Sequence, residues 1–135
     1  MNPLIPWIWA CGAMQILDAA ANLVVPRKIQ SRENLGRVTP IFRQVFLVHW
    51  FYVVVVLVIF GVACLLFAPE LAGGGPLGRF LSSALAVFWL SRVLIQRFYF
   101  DSGFKQRNRL ADVAFTLGGL FMGAVFTLAA LGRVR

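Results

Sequence analysis

The chain has 135 residues, 60% of them hydrophobic, with a mean hydropathy of +0.81 and a formal charge of +8. That length accommodates one domain, residues 1–135, and its apolar fraction exceeds what a soluble fold of near half-apolar composition can bury. A nucleic-acid module is excluded as well, because its Lys and Arg residues are separated by apolar stretches too long for such a domain of this size.

Crossing the hydrocarbon core takes about 20 mostly apolar residues. The first stretch of that kind covers 4–25 and is closed by Pro26-Arg27-Lys28. It lacks the basic start of a signal peptide and is interrupted by Asp18, so Met1 is expected to remain. Ile8-Trp9-Ala10-Cys11 has the outline of a lipoprotein cleavage box, but the apolar run before it is short and uncharged. Cys11, Gln15, Asp18 and Asn22 follow one another at helical spacing and share a face, which must turn toward protein rather than lipid.

A basic loop, 26–44, follows with Arg27, Lys28, Arg32, Arg37 and Arg43. The second stretch, 45–67, holds the run Val53-Val54-Val55-Val56-Leu57-Val58-Ile59-Phe60, which in water would suggest a buried strand. Its length and flanks favour a membrane helix, with His49 near its start. Gly73-Gly74-Gly75-Pro76 predicts an exposed turn.

The third stretch, 80–98, has Arg79 before it, and Trp89, Arg92, Gln96 and Tyr99 on one helical face. The third loop carries Arg97, Lys105, Arg107 and Arg109 on and beside 99–109, with Asp101 and Asp112 bracketing it as solvated counter-charges. The fourth stretch, 110–131, contains Gly118 and Gly119, with Gly123 four residues after the latter. This small-xxx-small spacing lets two helix backbones approach, within the bundle or across two chains.

These stretches predict an all-α integral membrane protein, an antiparallel four-helix transmembrane bundle spanning about 4–25, 45–67, 80–98 and 110–131. Translocation of Lys and Arg in short loops is opposed, so loops 26–44 and 99–109 face the cytoplasm and both termini lie outside, in a bacterial inner membrane. Arg133 and Arg135 oppose this assignment weakly. Trp7, Trp9, Trp50 and Tyr99 suit interfacial belts.

In that topology the polar residues come to similar depths. At about 1.5 Å per residue Asp18 lies roughly 10 Å inside its cytoplasmic boundary, His49 roughly 8 Å, Arg92 about 8–10 Å and Asp112 about 4 Å. An unpaired charge there costs at least ~2–3 kcal/mol. An ion pair of Asp18 with Arg92 is therefore expected, with Gln15, Asn22, His49 and Gln96 completing a hydrogen-bonded cluster that either holds the helices together or forms a polar pocket.

Cys11 and Cys64 both lie in apolar stretches and behave as small hydrophobes, and His49 is the only histidine, so no metal and no cofactor is expected from one chain. No nucleophile with a base, no Gly-rich phosphate loop and no paired carboxylates are evident. Small four-helix multidrug exporters share the chain's size and an acidic residue in the first helix. Theirs is a glutamate in a pattern that Gln15-Ile16-Leu17-Asp18-Ala19 does not match, so no family is assigned.

The leading expectation is thus a non-catalytic accessory subunit or lipid-binding component. Its partners would be membrane lipids and a larger membrane complex or further copies of the chain, and no nucleic acid. The second is a small transporter or membrane enzyme using Asp18, His49 and Arg92 on a lipidic or quinone-like ligand.

Overall fold

A computed structural model describes residues 1–28 and 31–133, excluding the side chains of 25–28 and 31–32. The expected positions of Arg27, Lys28 and Arg32 side chains, and of Arg135, lie outside what is described. All regular structure among the described residues is helical: α1 (Ile5–Lys28), α2 (Ser31–Leu35), α3 (Pro40–Leu66), α4 (Ala68–Ala72), α5 (Pro76–Phe98), α6 (Ser102–Arg107) and α7 (Arg109–Leu131). Three of them, α3, α5 and α7, are long and apolar enough to cross a membrane. The Val53–Phe60 run lies inside α3, because in a continuous apolar segment of this length the helix satisfies every backbone group internally.

The helices start earlier than the apolar stretches do. α3 opens on Pro40 rather than near 45, and α5 on Pro76 rather than near 80. In each case proline occupies the first turn, where a missing amide hydrogen costs nothing and the fixed φ already suits a helix. The glycine turn before α5 ends with Gly74 at φ 74° and an extended Gly75. At about 1.5 Å per residue the 27 residues of α3 reach about 40 Å, so Arg43 and Gln44 extend beyond an apolar core of about 30 Å. The expected loops also contain short helices: α2 in the first, α4 in the second and α6 in the third.

The chain forms two compact units, Gly12–Leu66 and Met1–Cys11 with Phe67–Arg135, and α1 runs from one into the other. In the Gly12–Leu66 unit, α1 and α3 pair in opposite directions. Gly12 lies against Gly61, Cys64 and Leu65, and Gly61 against Ile16. A Cβ on Gly12 would fall 2.9 Å from the Gly61 carbonyl oxygen, so backbone meets backbone at this crossing.

In the larger unit α5 and α7 pack antiparallel along their length. Gly119 faces Val93, and Gly123 faces Leu90. The small-residue face of α7 is therefore used within the chain, against α5. Met122, Val125, Phe126 and Ala129 on α7 and Leu85, Ala86 and Trp89 on α5 are buried. The start of the chain belongs to the same unit: Asn2 accepts from the Leu4 amide at 2.9 Å, and the Trp7 ring meets Phe121 edge-on at 6.0 Å. α4 closes against α5 at Gly78, where an added Cβ would collide with the Glu70 carbonyl oxygen. α7 ends on Gly132 in the left-handed conformation, φ 62°, whose amide donates to the Ala129 carbonyl.

These close approaches differ in what a methyl group would meet. Gly78→Ala pushes against backbone and is expected to destabilise the protein by about 2 kcal/mol or more. Gly123→Ala meets only the end of the Leu90 side chain, which can turn aside, and costs less than about 1 kcal/mol. Thermal unfolding in mild detergent ranks the two, and equal melting temperatures would contradict the assignment.

Candidate functional site

The polar residues singled out by the sequence divide between the two units. Gln15, Asp18, Asn22 and His49 belong to Gly12–Leu66, and Arg92 and Gln96 to the larger unit. On α1 the shared face is buried: Gln15 is 0% and Asp18 8% exposed, while Leu17 and Leu23 on other faces are 69% and 55% exposed. Turning that face inward is favoured because an amide or carboxylate left uncompensated in apolar surroundings costs several kcal/mol. Gln15 donates its Nε2 to Cys64 Sγ at 3.4 Å, and Asn22 Nδ2 donates to the Asp18 carbonyl at 2.8 Å. Asn22 thus bonds back to its own helix.

A second relation at Asn22 was not anticipated. Its carbonyl oxygen accepts from Trp50 Nε1 of α3 at 2.9 Å. In an α-helix that carbonyl would bond the amide of residue 26, which is proline and has no amide hydrogen. Trp50 supplies the missing donor from the neighbouring helix, rather than serving only in an interfacial belt. The signal was present in the Asn22-to-Pro26 spacing.

His49 next to it is exposed, and its Nδ1 lies 2.8 Å from the Val45 carbonyl oxygen of its own helix. A carbonyl only accepts, so Nδ1 is the donor in this contact. The bond holds the ring along α3, not in a cluster with the α1 amides.

In the larger unit Gln96 Nε2 donates to Asp112 Oδ1 at 2.7 Å, joining the last turn of α5 to the first turn of α7. The carboxylate sits where the N-terminal dipole of α7 favours it. Asp101 accepts from the Phe104 amide at 2.7 Å and caps α6. Both acids were expected as solvated counter-charges. Asp101 is exposed, and each acid also makes a bond that shapes the connection. Lys105 Nζ reaches the carbonyl oxygens of Arg97 at 3.0 Å and Gln96 at 3.5 Å, the stranded acceptors at the end of α5. Arg92 is half-buried, one turn before Gln96.

The same use of side chains recurs away from these residues. Ser82 Oγ donates to the Leu71 carbonyl at 3.3 Å, Asn2 Nδ2 to the Ala72 carbonyl at 3.0 Å and Arg79 Nε to the Ala130 carbonyl at 3.0 Å. Each acceptor lies in the last turn of its helix, and for Ala72 the residue four positions on is Pro76. Among the described residues no group of three or more His, Cys, Asp or Glu comes together as a metal site would require.

No family model matches the chain, and neither does any curated protein or solved structure.

Trp50→Phe removes the donor while keeping most of the ring, and is expected to cost about 1–2 kcal/mol for the stranded Asn22 carbonyl. Pro26→Ala restores a local amide, so the same substitution in that background costs less than about 0.5 kcal/mol of hydrogen bonding. Unfolding of the four proteins in detergent measures the difference, and identical losses in both backgrounds would refute the role given to Trp50.

Proposed function

We propose that the chain is an integral inner-membrane protein of four membrane-crossing helices, α1 with α3, α5 and α7. It acts without catalytic machinery as an accessory subunit or lipid-binding component of a larger membrane assembly. The observation that carries this reading is what its polar side chains do: Gln15, Asn22, Trp50, Ser82, Arg79, Gln96 and Lys105 all bond to groups of this chain. Such bonds associate helices in lipid, where each contributes roughly 0.6 kcal/mol on average.

The exposed surface supports the same reading. Ile59, Leu66, Val87 and Leu117 are 57%, 67%, 69% and 61% exposed, in segments of a length suited to hydrocarbon. α1 has 24 residues, about 36 Å, and presents leucines outward while it hides its amides and carboxylate. Along the first half of α3, Ile41, Phe42, Val45, Phe46, Leu47 and Val48 are exposed through more than a full turn, a surface for lipid or for a partner's helices. In the orientation we infer, loops 26–44 and 99–109 lie in the cytoplasm and the termini outside, which places the basic residues on the side the positive-inside rule requires.

Two measurements test this. Single cysteines introduced at Gly74 and at Gln106 should label oppositely in intact cells, the first with an impermeant reagent from outside and the second only after permeabilisation. Native mass spectrometry from mild detergent should show the chain with a larger complex or with retained lipid, and a bare monomer would remove the accessory role.

A further inference from the structure

The connection between α5 and α7 carries charges that the fold does not use. Of its residues, Asp101 is committed to capping α6, Asp112 to Gln96, and Lys105 to the carbonyl groups that end α5. Arg97, Arg107 and Arg109 are exposed, and among the described residues no hydrogen bond or ion pair within the larger unit is recorded for their guanidinium groups. Among those residues neither acid is bridged to an arginine, and with three arginines and Lys105 against two carboxylates the connection keeps a net positive charge.

Large apolar residues lie among them in the sequence. Phe98, Tyr99 and Leu110 are 82%, 83% and 86% exposed, more than nearly all the other large hydrophobic residues. These residues fall where α5 ends and α7 begins, the ends of two helices long and apolar enough to cross a bilayer. At the ends of two helices that cross a bilayer these residues fall at a leaflet boundary, where arginines meet headgroup phosphate while the rings and the leucine enter the region just beneath it.

The geometry points to a docking surface for anionic phospholipid headgroups at the α5–α7 connection. Arg97, Arg107 and Arg109 bind the phosphates, and Phe98, Tyr99 and Leu110 anchor among the acyl chains. Guanidinium groups suit this role because they pair with phosphate oxygens through two parallel hydrogen bonds. The inference rests on the reading that α5 and α7 cross the bilayer and adds the chemical class of lipid recognised at one end.

The test uses the full chain in mild non-ionic detergent, offered equal amounts of dioleoyl phosphatidylglycerol and dioleoyl phosphatidylcholine, with retained lipid counted by native mass spectrometry. The wild type should retain phosphatidylglycerol selectively. At about fivefold per charge at low ionic strength, the combined variant Arg97→Gln, Arg107→Gln, Arg109→Gln should lose that preference by about a hundredfold. Each single variant should lose about fivefold, which keeps the test valid if the triple variant fails to fold. Arg37→Gln with Arg43→Gln, in the other basic loop, should leave the preference in place.

No preference in the wild type, an unchanged preference in the single variants, or an equal loss in the Arg37 and Arg43 control would overturn the proposal. Displacement of phosphatidylglycerol by inorganic phosphate would overturn it too, by assigning the arginines to a soluble anion. Resistance to carbonate extraction from pure phosphatidylcholine vesicles reports separately on membrane crossing. A chain that washes off defeats the bilayer reading, whereas one that stays but ignores phosphatidylglycerol defeats only this inference.

Discussion

A backbone carbonyl that loses its helical partner has to find a donor, and in hydrocarbon water cannot provide one. Helix ends and prolines create such carbonyls wherever they fall; bare in lipid each costs several kcal/mol, and at a helix end that meets headgroups and water much less. The fold answers them with side chains. Asn22, stranded by Pro26, takes Trp50; Ala72, at the end of α4, takes Asn2; Leu71 takes Ser82, Ala130 takes Arg79, and the end of α5 takes Lys105. All five bonds join separate helices or bring the chain's first residues onto a helix end, Lys105 by tying α6 back to α5. Satisfying the backbone and fixing the tertiary contacts are here one event.

Close packing depends on a second constraint, the absence of a side chain. Where α1 crosses α3, Gly12 and Gly61 face each other; where α7 lies on α5, Gly119 meets Val93 and Gly123 meets Leu90; and Gly78 admits the Glu70 carbonyl. Lipid tails are as apolar as leucine, so burying more leucine between helices gains little. Contact distance decides, through dispersion and short hydrogen bonds. The Gln15 bond to Cys64 illustrates the link: it forms beside the Gly12 and Gly61 crossing, where the two backbones are near enough for an amide to reach a thiol.

These two constraints differ in how they appear in a sequence. The long apolar stretches were legible because hydrophobicity is additive along the chain. α3, α5 and α7 end at 66, 98 and 131, within a residue of where the apolar runs stop. Their starts were less legible. Pro40 and Pro76 are helix-opening residues placed among polar or glycine-rich neighbours, and hydrophobicity alone does not register them. The Gly119 and Gly123 face was readable from spacing, whereas Gly12 and Gly61 are single glycines on different helices, and only the crossing makes them a pair. The polar residues showed that they needed partners without showing which. Gln96 finds Asp112 sixteen positions away, His49 turns to its own Val45, and Trp50 serves a backbone atom rather than a side chain.

A polar residue inside an apolar helix is ordinarily taken as a sign of function. That inference assumes the side chain has nothing to do for the fold. Here Gln15, Asn22 and Gln96 each make a bond within the chain. Among the described residues the same bookkeeping leaves other polar groups without such a bond, Arg92 within α5 and three arginines at the ends of the apolar helices. Arg97, Arg107 and Arg109 are exposed between committed carboxylates and bare aromatic rings. Charge at a helix end is the least costly charge a membrane protein can carry, because headgroups and water already solvate it, so its placement there is free to be selected for binding. Within the apolar helices Gln15 and Gln96 bond across to a neighbouring helix, whereas at the helix ends Lys105 and Asp101 serve the fold and Arg97, Arg107 and Arg109 stay exposed.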